Sequence, residues 1–164
     1  MQRYLYLLRH AQSAEIQGSQ PDELRELTAL GNHHAAQIGN FLFKNKNLPE
    51  TILCSTAIRA KQTAERVASS IEFQIDQIQY NRSIYKLSIN RFIDIIGGTD
   101  PALTSVMIVG HSPIISELVE YLTNQEIGNM SPASVAILEF DSLSWNEISQ
   151  GTGKLNMLVS PDSL

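Results

Sequence analysis

Four basic residues sit where they could do chemistry together: Arg9, His10, Arg59 and His111. Arg9 and His10 end the run Arg3-Tyr4-Leu5-Tyr6-Leu7-Leu8. That run is short, bounded and almost continuously apolar, which predicts a strand covered on both faces, as in a parallel sheet between helices. Ligands of open α/β sheets bind just beyond the carboxyl ends of the strands. A cation and a group able to act as base or nucleophile are therefore presented together at the binding edge. His111 repeats the arrangement, because Ser105-Val106-Met107-Ile108-Val109 reads as a buried strand and runs into Gly110-His111-Ser112-Pro113. Arg59 falls in the first turn of a predicted helix, outside its apolar stripe. A cation there opposes the helix dipole unless an anion is shared with the backbone N–H groups. Two arginines and two histidines at one sheet edge make an anion site, and the arginine fork suits phosphate oxygens.

The elements that must position these groups follow from pattern. Glu15 to Gln20 is a polar loop punctuated by Gly18 and Pro21. Thr28 is the N-cap of a helix to about Lys44, with Ala35, Ile38, Phe41 and Leu42 as its apolar stripe. His33 and His34 are adjacent on it, point in different directions, and make a poor metal pair. Thr51 to Cys54 is a second short strand. Ser55 and Thr56 offer N-caps for a helix from about Ala57 to Ser70, whose stripe of small residues suits close packing. Glu72 to Ile78 is expected to be a strand, and the segment to Tyr85 a loop. Ile89, Phe92, Ile93 and Ile96 mark another helix, stopped at Gly97-Gly98. Ser112 is expected to cap, and Pro113 to open, a helix to about Leu122. Ser134 to Phe140 and Lys154 to Val159 alternate as two antiparallel strands around the Gly151-Thr152-Gly153 turn. That turn does not lead into a helix and is no phosphate loop.

Composition narrows the function classes. The 164 residues fit one domain, 1–164, with a sizeable core. Hydrophobic residues at 43% and charged residues at 18% are globular proportions. A net charge of −5 argues against a general nucleic-acid or anionic-membrane binder. Met1 leads straight into the first strand, with no leader pattern, and no run reaches membrane-spanning length. Cys54 is the single cysteine, so no internal disulfide can form. A cytoplasmic location is expected.

Arg9-His10, Arg25-Glu26-Leu27-Thr28-x-x-Gly31, Ser55-x-x-x-Arg59-Ala60-x-Gln62-Thr63-Ala64 and Gly110-His111-x-Pro113 together resemble the motifs of the histidine phosphatase superfamily. Their order, spacing and the short chain are most similar to short bacterial phosphohistidine phosphatases of the SixA type. The resemblance covers the chain to about Leu122. It implies a three-layer α/β/α sandwich of the phosphoglycerate mutase-like kind, with a mainly parallel central sheet and an antiparallel edge strand. It also implies that His10 is a phosphate-accepting nucleophile, and that Arg9, Arg59 and His111 bind the phosphoryl group and stabilise its transition state. Ser13 and Ser112, beside the two histidines, complete the expected phosphate-binding set. No metal or cofactor is expected. The implied partner is a phosphorylated protein carrying phosphohistidine, or a small phosphorylated substrate.

The chemistry asks for these residue types independently. With an ordinary pKa of about 6.5, a neutral imidazole can attack phosphorus at pH 7, provided an acceptor holds its other nitrogen. Charge spread over three equatorial oxygens is met by fixed cations, and water then hydrolyses the phosphohistidine intermediate. The sequence departs from the ester-cleaving members in one respect. The position expected to hold a general acid reads Ser83-Ile84-Tyr85, flanked only at a distance by Asp76 and Asp94, so an acid would have to come from elsewhere, Asp76 or Glu15 being candidates. Three rivals stay open. Cys54-x4-Arg59 is one residue short of a cysteine-phosphatase loop and lacks its glycines. A small-molecule phosphomonoesterase or mutase could share the fold. A phosphate-binding module without turnover would not need both histidines and both arginines.

Overall fold

The computed structural model describes residues 1–141 and 143–164. Among the described residues, six strands and four helices follow one another: β1 (Arg3–Arg9), α1 (Ala29–Lys44), β2 (Thr51–Cys54), α2 (Ile58–Ser70), β3 (Gln79–Tyr80), α3 (Ile89–Gly97), β4 (Ser105–Gly110), α4 (Ile114–Thr123), β5 (Val135–Phe140) and β6 (Lys154–Val159). They form one sheet in the order β3-β2-β4-β1-β5-β6. β1 pairs in parallel with β4, β4 with β2, and β2 with β3. β5 runs antiparallel to both β1 and β6, so the reversed strand lies one place in from the edge.

The period-two alternation of strands sorts side chains into two layers. Tyr6 and Leu8 of β1, with Met107 and Val109 of β4, pack on Ala35, Ile38 and Leu42 of α1 and on Ala60, Ala64 and Val67 of α2. Leu5, Leu7, Val106 and Ile108 face the other way, onto Phe92 and Ile96 of α3 and Ile115, Leu118 and Val119 of α4. The result is the expected α/β/α sandwich, with β1 buried at its centre. No helix among the described residues is long and apolar enough to cross a membrane.

Several elements match the sequence reading closely. The Thr28 hydroxyl accepts from the Gly31 N–H at 2.9 Å, so α1 starts where its cap predicts. Two expectations are corrected. Glu72 to Ile78 is not a strand: Glu72 takes φ 60°, and Ile75–Gln77 form a 3₁₀ turn. Ile78 is buried while Ile75 is exposed, so the apolar residues there do not line one face. The strand comes later and is only Gln79–Tyr80. Nor does Ser112 cap α4. Pro113 occupies the N-cap, and the Ser112 hydroxyl donates to Oδ1 of Asn129 instead.

Candidate active site

The carboxyl ends of β1 and β4 lie side by side, with Arg9 opposite Gly110 in the register. His10 and His111 therefore emerge together, their ring centroids 5.2 Å apart. Backbone bonds fix the first of them: His10 N–H donates to Gly110 O at 3.0 Å, and its carbonyl accepts from Ala133 N–H at 3.1 Å. His10 Nδ1 lies 2.7 Å from the Ala11 carbonyl oxygen. A carbonyl only accepts, so Nδ1 carries the proton and Nε2 keeps its lone pair. That lone pair faces the Arg59 guanidinium, whose Nε is 3.3 Å away. Burial, with Arg59, Arg9 and Arg25 adding to it against the bond to Ala11, lowers the His10 pKa to about 4. The ring is neutral at pH 7.

His111 is 6% exposed, and its Nε2 lies 2.8 Å from Ser55 Oγ. Ser55 Oγ accepts from Ala57 N–H at 3.3 Å. Its own proton has no acceptor among the described residues other than His111 Nε2, and that assignment puts the imidazole proton on Nδ1. Among the described residues Nδ1 is buried without a partner, a donor left over for a bound oxygen. Burial first, then His10 and Arg59, lowers the His111 pKa to about 3.

Arg9 donates from Nη1 to the Met130 carbonyl at 2.6 Å, while its Nε is buried without a partner among the described residues. The guanidinium is thus held by the loop before β5. Arg59 is 5% exposed despite its charge, and what it wants proves to be Asp22. Its Nη2 lies 2.9 Å from Asp22 Oδ2, and its Nη1 donates to the Asp22 carbonyl at 2.8 Å. Arg25 grips the other carboxylate oxygen, Oδ1, from Nε at 2.9 Å and Nη2 at 2.7 Å. The Tyr85 hydroxyl donates to Oδ2. Partial burial pushes the Asp22 carboxyl upward, but bonds from Tyr85, Arg59 and Arg25 outweigh it and hold the group well below the carboxylate range.

Two tight approaches bring α1 and α2 to the site. A Cβ on Gly31 would meet Gln12 O at 2.1 Å, so the start of α1 seats directly on the loop after His10. The Gln12 carbonyl accepts from Thr28 N–H at 3.0 Å. Thr63 Oγ1 donates to the Arg59 carbonyl at 2.7 Å and accepts from Ala11 N–H at 2.9 Å, so α2 positions the residue that orients His10.

The structure thus brings Arg9, His10, Arg59 and His111 together. The Ser13 hydroxyl accepts from Arg25 Nη1 at 3.1 Å and makes no hydrogen bond with these four, whereas the Ser112 hydroxyl is turned toward Asn129. Glu15 and Asp76 are exposed, and the carboxylate that reaches the arginines is Asp22. Sequence reasoning did not single out Asp22, Arg25, Ser55 or Thr63 as site residues. The available signal was the polar residues repeating at four-residue steps, Ser55, Arg59 and Thr63, from the end of the second strand into the helix that follows. Cys54 is fully buried, and burial pushes its thiol far up, as befits a small core residue. Among the described residues no group of three or more His, Cys, Asp or Glu could hold a metal ion.

The model of the histidine phosphatase superfamily (branch 1) matches residues 5–80. An uncharacterised protein of Mycobacterium leprae is 32% identical, over 74% of this chain and 74% of its own length. A phosphohistidine phosphatase SixA homolog of Haemophilus influenzae is 26% identical, over 84% of this chain and 88% of its own. Among solved structures, the protein histidine phosphatase SixA complexed with tungstate superposes with a TM-score of 0.81 at 23% identity, covering 99% of both chains. A mycobacterial glucosyl-3-phosphoglycerate phosphatase superposes at 0.69 and 18% identity, over 96% of this chain and 98% of the other. The chain belongs to the histidine phosphatase superfamily and is a phosphatase.

Proposed function

We propose that the chain hydrolyses phosphohistidine on a protein, with His10 as nucleophile and a covalent phosphohistidine on His10 as intermediate. The observation that carries this reading is the pairing of a neutral, oriented imidazole with a mouth that, among the described residues, holds no carboxylic acid. His10 Nδ1 is bound to Ala11 O, and Nε2 keeps its lone pair. The carboxylate at the mouth, Asp22, is locked by two arginines and has no proton to donate. Expelling an alkoxide requires an acid, whereas an imidazole, with an ordinary pKa near 6.5, leaves without one once its ring is protonated.

Each remaining residue has a task in this scheme. Arg9 Nε, Arg59 and His111 Nδ1–H are donors around the phosphoryl oxygens, where developing charge is met without reorganisation. On phosphate binding, the Arg59 Nε–H passes from the His10 lone pair to a phosphoryl oxygen, freeing the pair to attack. The SixA homolog among the relatives supports the substrate class. A small-molecule phosphomonoester is the second reading. It requires the Tyr85 hydroxyl proton, which Asp22 holds, to pass to the leaving oxygen.

The test is kcat/KM on a phosphohistidine protein, an aryl phosphate and an alkyl phosphate. Phosphohistidine should be cleaved far faster than the alkyl ester, with the aryl ester between. An alkyl phosphate cleaved fastest would move the protein to the metabolic phosphoesterases. Rapid quench should trap acid-labile phosphate on His10 and none in His10→Ala.

A further inference from the structure

We propose that Tyr85, with its hydroxyl proton held by Asp22, is a hydrogen-bond acceptor that selects a leaving imidazole protonated on the nitrogen remote from phosphorus. The inference rests on the phosphohistidine reading above and names how the site would achieve it. In-line displacement puts the leaving group opposite His10 Nε2 across the phosphorus. His10 and His111 are the closed end of the site, 9% and 6% exposed, so the leaving group lies toward the open side. There stand Asp22, whose side chain is 34% exposed, and Tyr85, half-buried with its ring edge-on to His111 at a centroid distance of 5.3 Å.

The polarity of that side follows from counting protons. Asp22 is ionised, and its oxygens are occupied by Arg25, Arg59 and Tyr85. A phenol has one proton, and Tyr85 gives it to Asp22 Oδ2. The bond to Asp22 first, and burial second, raise the Tyr85 pKa against the opposing pull of Arg59, whose guanidinium takes one side of the oxygen, so the phenol keeps that proton. What Tyr85 can offer a leaving group is its oxygen lone pairs. Lone pairs repel a departing alkoxide and accept an N–H. The charged and titratable groups facing Tyr85 are Asp22, Arg59, His111 and Lys86, with Arg25 and His10 behind them.

A phosphohistidine ring carries an N–H only when protonated on the nitrogen remote from phosphorus, and that form is the reactive one. His10 Nε2 forms the new N–P bond. The substrate N–P bond breaks with its electron pair staying on the substrate nitrogen. The proton stays on the remote nitrogen, hydrogen-bonded to Tyr85 Oη, so the departing group is a neutral imidazole. His10 becomes a phosphoimidazolium with Nδ1–H still on Ala11 O. Water attack then returns the electron pair to Nε2, and the water's proton leaves with inorganic phosphate and solvent.

The test is Tyr85→Phe, which keeps the ring against His111 and removes the acceptor. The readout is kcat/KM on a phosphohistidine protein and on p-nitrophenyl phosphate, from about pH 5 to about pH 9, spanning the imidazole pKa. The ratio of phosphohistidine to aryl phosphate activity should fall about tenfold or more, the worth of one hydrogen bond to a charged group. The alkaline limb of the phosphohistidine profile should move to lower pH, while the aryl profile keeps its shape. Asp22→Ala, which removes the acceptor of the phenol proton, should shift the ratio the same way. Equal losses on both substrates would make Tyr85 a wall and overturn the inference, as would an unchanged ratio. A wild-type enzyme with no preference for phosphohistidine would overturn the substrate reading and this inference with it. A wild-type preference that survives Tyr85→Phe would overturn this inference alone.

Discussion

His10 and His111 do opposite things with the same side chain, and the difference is the partner of one nitrogen. A carbonyl on Nδ1 leaves His10 with a free electron pair at Nε2, while a hydroxyl proton on Nε2 leaves His111 with a free N–H at Nδ1. His10→Ala should abolish turnover while circular dichroism and the melting transition report an intact fold. Arg9→Ala, Arg59→Ala and His111→Ala should each lower the rate by about 10²–10³, the cost of one charge-stabilising donor. Ser55→Ala should leave a buried nitrogen unsatisfied and let the wrong tautomer form, at roughly ten- to a hundredfold in kcat for about 1–3 kcal/mol lost. Steady-state kinetics separates these, since a purely binding role would move KM instead. Cys54→Ser should keep nearly full activity, because the buried thiol faces Ser55 O at 3.2 Å and away from the chemistry. Loss of activity there would revive a cysteine nucleophile.

At the scale of elements, the seat of α1 on the His10 loop is the most exacting contact. Gly31→Ala places a methyl group on the Gln12 carbonyl, and overpacking of this kind costs about 1–3 kcal/mol. The variant should melt lower and lose activity together, measured by thermal denaturation and initial rates on the same sample. The motif glycine and threonine around this contact were plain in the sequence, as were α1 from its cap and β4 from its unbroken apolar run. The strand ends that carry Arg9, His10 and His111 were equally plain, because buried parallel strands announce themselves by composition. The segment before β3 was not. Phe73, Ile75 and Ile78 have a strand's spacing, but an edge strand of two exposed residues carries no alternation to read. Asp22 was missed for a different reason. Its importance lies in joining Arg25, Arg59 and Tyr85, three residues from separate stretches, and no local pattern encodes that meeting.

For the whole molecule, the two buried histidines set how stability responds to acid. Their pKa values fall from about 6.5 unfolded to about 4 and about 3 folded. Between those limits the unfolded chain binds more protons than the native one, so stability rises with pH across the window and is lost as pH falls from 6.5 toward 3. Each histidine contributes a slope of about 1.4 kcal/mol per pH unit there. Chemical denaturation at a series of pH values should show this decline beginning above the range where carboxylates titrate, and His111→Asn should flatten it. The central position of β1 has a further consequence, for how the enzyme comes into being. Leu7 is flanked by Ile108 on one side and Ala136 on the other, so the strand that leads into His10 closes only against segments made much later. Such non-local pairing slows folding. On the ribosome, β1 cannot complete its pairing, nor Arg9 its bond to Met130, until β5 and the Met130 loop have emerged. Catalytic competence should therefore arrive in one late step, with no active fragment preceding it.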